Sequence, residues 1–318
     1  MALLTPLPDA DGVRIGKLFG LDVRSVFAIE AGSVNSNFRF DLADGTAVFA
    51  RIYEEQDRAG ALAELEILHR IAAAGVPTTI PLTRTDGERL AEHAGKPVSI
   101  YPWVEGEVLC QKGVSTKAAA TLGAALAQVH LAGASLPSIP PSRFRPEALE
   151  ARLQSIAETG RFDDAVRFIR DKLAEYGPSP AELPRGLIHG DLFRDNVLWQ
   201  GENIAALIDF EAASDGVFVF DLMVCVMAWC YADDFDVDLV TALLGGYHAA
   251  RPLNGAEWSA LAGEGARAAL RFATTRITDF SLRVAPGQMP GRDYRRFFGR
   301  LKSLEAGVLD PVMAQLRG

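Results

Sequence analysis

Two short segments near the middle of the chain, residues 187–198 and 206–211, limit the possible folds more than any other part of the sequence. Each opens with an apolar run that is typical of a buried strand and ends in polar side chains. Four of these side chains carry the combined pattern His-x-Asp-x4-Asn-x12-Asp-Phe: His189, Asp191, Asn196 and Asp209. The turn residues at 201–203 predict a hairpin that brings the two polar ends together.

The residue types in this pattern suit phosphoryl transfer. One carboxylate, Asp191, can orient and deprotonate an attacking hydroxyl. The amide of Asn196 and the carboxylate of Asp209 supply the hard oxygen ligands that Mg²⁺ prefers. Each small motif is common by itself, and a lone histidine such as His189 is more often structural than catalytic. The combination at this spacing is much more specific, and it predicts a phosphotransferase site.

The pattern of apolar residues changes along the chain from strand-like to helical. Alternation on both sides of Asp44-Gly45 predicts a β-hairpin, and apolar residues at every third or fourth position predict amphipathic helices later on. The sequence thus predicts strands at 37–42, 47–53 and 98–101 and helices at 59–74, 115–133 and 162–176. We expect an α+β protein with a small strand-rich lobe, 1–102, and a larger helical lobe, 103–318.

Composition and charge exclude several classes of protein. Of the 318 residues, 49% are apolar and 23% are charged, which excludes a disordered or fibrous chain. The net charge of −9 argues against a general binder of nucleic acid or of anionic membranes, although it allows a local basic pocket. Asp221 interrupts the longest apolar run, so we expect no membrane span. The three cysteines lack CxxC spacing and no secretory signal is visible, so we expect a cytoplasmic protein without disulfides.

The motif around Asp191 and Asp209 resembles that of the aminoglycoside phosphotransferase and choline kinase superfamily, a group of small-molecule kinases related to protein kinases. The resemblance spans nearly the whole chain and implies the two-lobed protein-kinase-like fold, with ATP and Mg²⁺ as cofactors. It implies that Asp191 is the catalytic base, that His189 braces the loop, and that Asn196 and Asp209 bind the metal. Asp221 matches the buried acid that supports this loop in the family, with a helix N-cap as the alternative interpretation.

The same resemblance implies phosphate and adenine contacts in the small lobe. The loop before the first clear strand fits a nucleotide-covering segment, in which we single out Gly32, Ser33 and Asn35. Arg51 stands where kinases place a lysine, and an arginine can still pair with phosphate. Its expected helix partner is Glu64, with a solvated surface pair as the alternative. The segment around Tyr101 resembles the inter-lobe hinge, whose backbone would meet the adenine edge.

Four segments resemble the homoserine kinases of this superfamily: 32–38, 191–196, 246–253 and 268–279. The implied reaction converts ATP and L-homoserine into O-phospho-L-homoserine, a step toward threonine. Because homoserine is a zwitterion, its pocket needs a cation for the carboxylate and an acid for the ammonium. The candidates are Arg271 and Arg276 for the first group, and Asp195 and Asp279 for the second. Alternatively, Arg276 and Asp279 could pair with each other along one helix.

Other functions stay open at this stage. An aminoglycoside kinase would use acidic residues for a polycationic sugar, and a kinase for another hydroxylated amino acid or amino alcohol is also possible. A catalytically inactive, kinase-like binding protein is disfavoured because Asp191, Asn196 and Asp209 are all present. The expected partners are ATP and a small hydroxylated amino acid or amine, with no nucleic acid and no membrane. The sequence leaves the oligomeric state open.

Overall fold

The computed structural model describes residues 4–30, 34–284 and 291–317. The chain divides into two compact units. The first consists of Met1–Glu107 together with Ala205–Glu211, and the second of Val108–Ile204 together with Ala212–Gly318. A strand-rich first unit and a helical second unit confirm the predicted α+β class. Within the described residues, no helix combines the length and the apolar character that crossing a membrane requires.

The first unit is built on a five-stranded sheet in the order β1-β2-β3-β5-β4. All neighbouring strands in it run antiparallel. The strands of this sheet are β1 Val23–Ile29, β2 Ser36–Leu42, β3 Ala47–Ile52, β4 Ala91–His93 and β5 Lys96–Pro102. Two helices accompany them, α1 Asp9–Leu18 and α2 Arg58–Ala73.

The predicted hairpin at the centre of this sheet is confirmed. Gly45 adopts the left-handed φ of 86° in the turn between β2 and β3, a conformation that glycine tolerates best. Cross-strand register pairs Asn37 with Arg51. The side chains of Phe40 and Ile52 in this hairpin are fully buried in the core of the unit. The hairpin therefore fixes the backbone position of Arg51.

Helix α2 confirms the helix predicted at 59–74 and begins with a side-chain cap. The Asp57 carboxylate accepts a hydrogen bond from Gly60 N at 2.8 Å, which satisfies a free amide at the helix N-terminus. The buried face of the helix carries Glu64 beside Leu65 and Leu68. A carboxylate thus lies on the same face as the leucines.

The segment Ala205–Glu211 is held to the first unit through the loop after α2. Leu207 N donates to Pro77 O at 2.7 Å, and Thr78 Oγ1 donates to Leu207 O at 2.7 Å. These hydrogen bonds place Asp209, two residues later, in the first unit.

The remainder of the chain contains the helices of the second unit and four short strands. Its helices are α3 Thr116–Ala132, α4 Pro146–Ala157, α5 Asp163–Tyr176, α6 Phe218–Trp229, α7 Val237–Ala250, α8 Gly255–Asp279, α9 Arg295–Glu305 and α10 Asp310–Arg317. The short strands are β6 Arg185–Ile188, β7 Val197–Gln200, β8 Asn203–Leu207 and β9 Ser214–Val217, of which β8 ends within the segment Ala205–Glu211 of the first unit. Strands β7 and β8 form the predicted hairpin, while β6 pairs with β9 in an antiparallel ribbon that was not predicted.

Close helix packing holds the second unit together. Helix α3 lies against α7 at glycine positions, where a Cβ on Gly123 would stand 2.1 Å from Leu243 O and one on Gly246 would stand 2.1 Å from Ala120 O. Helix α6 is almost wholly buried and packs against α8. The N-cap interpretation of Asp221 is wrong, because α6 begins at Phe218 with Val217 as its N-cap. Asp221 lies inside the first turn of α6, and its side chain is fully buried.

Candidate active site

The loop after β6 turns sharply at Gly190. This residue has a φ of 77°, and a Cβ at this position would stand 2.9 Å from Ala212 O. Both the positive φ and the close carbonyl exclude an ordinary side chain. The turn lets the loop leave the buried strand and present Asp191, whose side chain is 40% exposed.

The carboxylate of Asp221 holds this turn in place. Its carboxylate is fully buried and accepts hydrogen bonds from His189 N at 2.7 Å and from Gly190 N at 2.8 Å. His130 Nε2 lies 3.1 Å from Asp221 Oδ2, and His130 Nδ1 lies 2.7 Å from Tyr247 Oη. Burial pushes the pKa of Asp221 upward, but the hydrogen bond and charge of His130 and the Gly190 amide bring it below its ordinary value. The anchor is therefore an ionised carboxylate that fixes two successive loop amides.

Arg271 on α8 lies beside Asp191. Its Nη1 is 3.8 Å from Asp191 Oδ1. The guanidinium is held between two rings, 3.7 Å from the centroid of Phe144 and 3.8 Å from that of Phe272. Burial lowers the pKa of Arg271 to about 10, and the charge of Asp191 opposes this effect. The stacked rings leave the cation little freedom to turn away from the carboxylate.

The far end of the loop is closed by a short 3₁₀ turn, Arg194–Asn196. Asn196 is nearly buried, and its Nδ2 donates to Asp191 O at 2.8 Å. At the near end, Asp191 N donates to His189 Nδ1 at 3.3 Å. Because the amide nitrogen of Asn196 faces the loop backbone, the amide oxygen is the atom that can bind a ligand.

In the first unit, Arg51 joins two carboxylates. Its Nη1 lies 3.0 Å from Asp209 Oδ1 and 3.6 Å from Glu64 Oε1. Arg51 and Glu64 are both buried, so the alternative of a solvated surface pair is wrong. Burial raises the pKa of Glu64 to about 7, with Arg51 opposing and Asp209 adding to the rise. Asp209 has a φ of 65°, a left-handed conformation that is uncommon outside glycine and that concentrates at functional sites.

Four other residues of the first unit were expected to contact the nucleotide, and the structure describes two of them, Asn35 and Tyr101. Gly32 and Ser33 lie outside the described residues. The Asn35 side chain accepts from Glu54 N at 3.1 Å and donates to Glu211 Oε2 at 2.8 Å, so its amide already has partners. Tyr101 lies on β5 with its hydroxyl 3.0 Å from that of Tyr53. Its side chain is buried, which leaves the backbone as the part that could meet a ligand.

The second unit contains a cavity of about 450 Å³, and only two of the four substrate-binding candidates line it. Asp195 and Arg276 line it, and Arg271 and Asp279 do not. Asp279 pairs with Arg152 at 3.1 Å, while Arg276 lies over the rings of Phe193 and Phe280. The structure thus places one basic and one acidic candidate in the cavity.

Sequence reasoning missed the other arginines of this cavity. Arg292, Arg296 and Arg300 line it together with Arg194. A signal was present, since residues 292–300 contain four arginines in a chain of net charge −9. His130 on α3 also belongs to the candidate active site, because its Nε2 lies 3.1 Å from Asp221 Oδ2.

Comparison with known proteins finds a family match and relatives that span nearly the whole chain. The phosphotransferase enzyme family, APH, matches residues 26–253. Among curated proteins, the homoserine kinase of Methylocella silvestris is 33% identical over 319 residues, covering 96% of this chain and 96% of that protein. The homoserine kinase of Methylobacterium radiotolerans is 33% identical over 311 residues, with 95% of each chain covered.

Solved structures show the same fold. The amicoumacin kinase hAmiN, in complex with AMP-PNP, Ca²⁺ and Ami, has a TM-score of 0.70 at 14% identity and covers 95% of this chain and 93% of its own. The spectinomycin phosphotransferase APH(9)-Ia, in complex with ADP and spectinomycin, has a TM-score of 0.70 at 14% identity, with 96% and 99% covered. These likenesses confirm the protein-kinase-like fold. With the family match over most of the chain and the relatives that span it nearly end to end, the protein belongs to the APH phosphotransferase family.

Proposed function

We propose that this protein transfers the γ-phosphoryl group of ATP to the side-chain hydroxyl of L-homoserine. The bond between the γ-phosphorus and the ADP oxygen breaks, a bond to the homoserine oxygen forms, and the hydroxyl proton passes to Asp191. The products are ADP and O-phospho-L-homoserine. The observation that carries this proposal is the 33% identity to a homoserine kinase over 96% of both chains.

The loop residues have complementary roles in this reaction. Asp191 orients the acceptor hydroxyl and takes its proton as phosphoryl transfer proceeds. Arg271 is a positioning residue, because it holds the carboxylate of Asp191 and is itself held between two rings. His189 and Asp221 hold the turn in place. His189 Nδ1 accepts a hydrogen bond from one loop amide, and the Asp221 carboxylate accepts hydrogen bonds from two others.

The chemistry of the donor set fits a divalent ion. A relative of the same fold holds AMP-PNP and Ca²⁺. Among the described residues, no three His, Cys, Asp or Glu side chains form a metal-binding cluster. Mg²⁺ needs no such cluster, since one or two protein oxygens and the nucleotide phosphates can hold it. We propose the Asn196 amide oxygen and the Asp209 carboxylate as its ligands. The chemistry that Mg²⁺ supplies when bound is the neutralisation of charge on the phosphates.

The first unit offers a second test of fit, for the nucleotide. Arg51, already drawn toward Glu64 and Asp209, is the cation that we propose for the phosphates. Residues 1–102 would then form the nucleotide-binding lobe, with Gly32, Ser33, Asn35 and the backbone at Tyr101 as further contacts. Residues 103–318 would carry catalysis and acceptor binding.

The charge of the cavity favours a carboxylate-bearing acceptor over the alternatives. Five arginines and one aspartate line it. A polycationic aminoglycoside or a quaternary amine would meet a surplus of like charge there, whereas an amino acid brings a carboxylate. Arg276 is the stronger candidate for that carboxylate and Asp195 for the ammonium, because Arg271 and Asp279 lie outside the cavity lining. The cytoplasmic location expected from the sequence stays a prediction.

A coupled assay of ADP release tests the proposed function. Purified protein receives ATP and magnesium with homoserine, serine, choline, ethanolamine or kanamycin. We expect kcat/KM for homoserine to exceed that for every other acceptor. A higher kcat/KM for kanamycin or choline would overturn the assignment of the substrate, and no activity with any acceptor would favour a binding protein.

A further inference from the structure

The cavity beside the loop has an unusual charge distribution. It is lined by loop residues 193–195 and by residues of α8 and α9. Its basic residues are Arg194, Arg276, Arg292, Arg296 and Arg300. Asp195 is the one carboxylate among the described residues that line it. The residues outside the described ranges contain no Asp or Glu that could add another carboxylate side chain.

Two of these arginines, Arg194 and Arg300, donate hydrogen bonds to neutral groups. Arg300 donates to Met227 O and to Arg296 O, each at 2.9 Å. Arg194 donates to the side chain of Gln111 and to Ala228 O. Burial and then the neighbouring arginines lower the pKa values of Arg276 and Arg300 to about 10. Carbonyl partners orient a guanidinium without cancelling its charge, so the cavity keeps a positive surplus that an anionic group can neutralise.

Among the described residues that line the cavity, Arg292 and Asp195 form the one ion pair. Arg292 Nη2 lies 2.9 Å from Asp195 Oδ2, and the two side chains are 47% and 54% exposed. An ion pair with this exposure is weak, because water competes for both charges. A ligand that carries one positive and one negative group can therefore replace it at little cost.

We propose that Asp195 and Arg292 recognise the amino-acid head group of the acceptor by exchanging partners with it. The ammonium of the acceptor takes the place of Arg292 at Asp195. Its carboxylate binds the released Arg292 and the other cations of the cavity, including Arg276. This inference rests on the proposed function and deepens it, because it assigns the two side chains that distinguish a zwitterionic acceptor from one that carries a single charge.

The exchange predicts which acceptors are poor. Homoserinol keeps the ammonium and lacks the carboxylate, so it would leave Arg292 and the arginine surplus without a partner. The hydroxy acid 2,4-dihydroxybutanoate keeps the carboxylate and lacks the ammonium, so it would leave Asp195 without a cation. Each analogue should have a higher KM than homoserine, since it satisfies only half of the separated pair.

Two single variants and these three acceptors form the test. Asp195→Asn should raise KM for homoserine about 10- to 100-fold and change KM for 2,4-dihydroxybutanoate much less. Arg292→Gln should raise KM for homoserine and for 2,4-dihydroxybutanoate by a similar factor and change KM for homoserinol much less. KM for ATP should stay within about twofold in both variants. Equal effects on all three acceptors, or none on homoserine, would overturn the exchange.

A matched control and a double variant exclude a merely structural role. Arg185 pairs with Asp215 at 2.6 Å in the same unit with similar exposure, and neither residue lines the cavity. Arg185→Gln should leave all three KM values unchanged. The reversal Asp195→Arg with Arg292→Asp restores an ion pair but inverts its direction. Recovery of wild-type KM for homoserine in that double variant would show that only the ion pair matters, and would overturn the exchange.

The wild-type measurement separates this inference from the proposed function. A wild-type protein that fails to phosphorylate homoserine overturns the proposed function and the exchange together. A wild-type protein that phosphorylates homoserine, with Asp195→Asn and Arg292→Gln unchanged in KM, overturns the exchange alone.

Discussion

Arg271 Nη1 lies 3.8 Å from Asp191 Oδ1, while the guanidinium of Arg271 is enclosed by the rings of Phe144 and Phe272. The cation is therefore fixed to the helical core and the carboxylate is fixed to the loop. Asp191 thus receives its orientation from two directions: from the loop amides that Asp221 holds and from the stacked arginine. Such a double restraint is what a general base requires, because proton transfer depends on a narrow range of distances.

Replacement of Arg271 should lower turnover more than it changes nucleotide binding. We expect Arg271→Met to reduce kcat about 10²-fold, because the Asp191 carboxylate loses its fixed neighbour. Arg271→Lys should retain part of the activity, since it keeps a charge but cannot stack as a flat group. Steady-state kinetics with homoserine and ATP measure both effects. An unchanged kcat in Arg271→Met would contradict the positioning role, and Arg167→Gln, at an exposed pair with Asp164, is the control.

Replacement of Asp221 should cost both stability and activity. Asp221→Ala leaves two loop amides and His130 without their acceptor in a fully buried place. We expect a loss of about 3–5 kcal/mol in the free energy of unfolding, together with a fall in kcat. Urea unfolding monitored by circular dichroism measures the first quantity. A loss below about 1 kcal/mol would show that the carboxylate does not anchor the turn.

Sequence periodicity predicted the local elements and left out the contacts between distant ones. The hairpin around Gly45 and helix α2 were predicted because their apolar spacing is a local property. The Arg271 stack could not be predicted, since Phe144 and Arg271 stand far apart in the sequence and meet only through helix packing. The same holds for the β6–β9 ribbon and for the contact between His130 and Asp221. The N-cap interpretation of Asp221 failed because the helix starts earlier, at Phe218.

Within the candidate site, too, local sequence patterns identified some residues, and contacts between distant segments determined the others. Asp191, Asn196 and Asp209 were found from their spacing, which reflects chemistry as much as fold. Arg292 was missed, because nothing in its local sequence shows that it meets Asp195. The rotation of α8 about its axis determines that Arg276, and not Arg271, lines the cavity. The spacing of residues along the sequence does not determine that rotation.

The raised pKa of Glu64, about 7 against an ordinary 4.5, predicts a pH-dependent loss of stability. Both states hold the proton at low pH. As pH rises above 4.5 the unfolded chain ionises first, so stability falls until the folded pKa is passed. A pKa raised this far corresponds to a loss of roughly 3 kcal/mol at most in the free energy of unfolding. Glu64→Gln removes the ionisable carboxyl group, so we expect it to raise Tm at pH 8 and to leave Tm unchanged at pH 4.5. A lower Tm of Glu64→Gln at pH 8 would contradict the prediction.

Asp209 can be tested without disturbing its backbone. Asparagine tolerates the left-handed conformation at least as well as aspartate, so Asp209→Asn should fold normally. Loss of a group that only supports a metal ligand lowers metal affinity roughly 10- to 100-fold. Because we propose Asp209 as a ligand itself, we expect Asp209→Asn to lower the affinity for magnesium–ATP by at least this factor. Isothermal titration with ATP, with and without magnesium, measures the metal-dependent part. Unchanged metal-dependent affinity in a folded variant would exclude Asp209 as a ligand.

The most direct test follows the phosphoryl group itself. Phosphorus NMR of a mixture of ATP, magnesium, homoserine and protein should show a new phosphomonoester signal that grows as ADP forms. Asp191→Asn should slow this signal about 10²- to 10⁴-fold while ATP affinity stays close to that of the wild type. The contradicting result is ADP formation without the phosphomonoester, or an Asp191→Asn rate within a few-fold of the wild type.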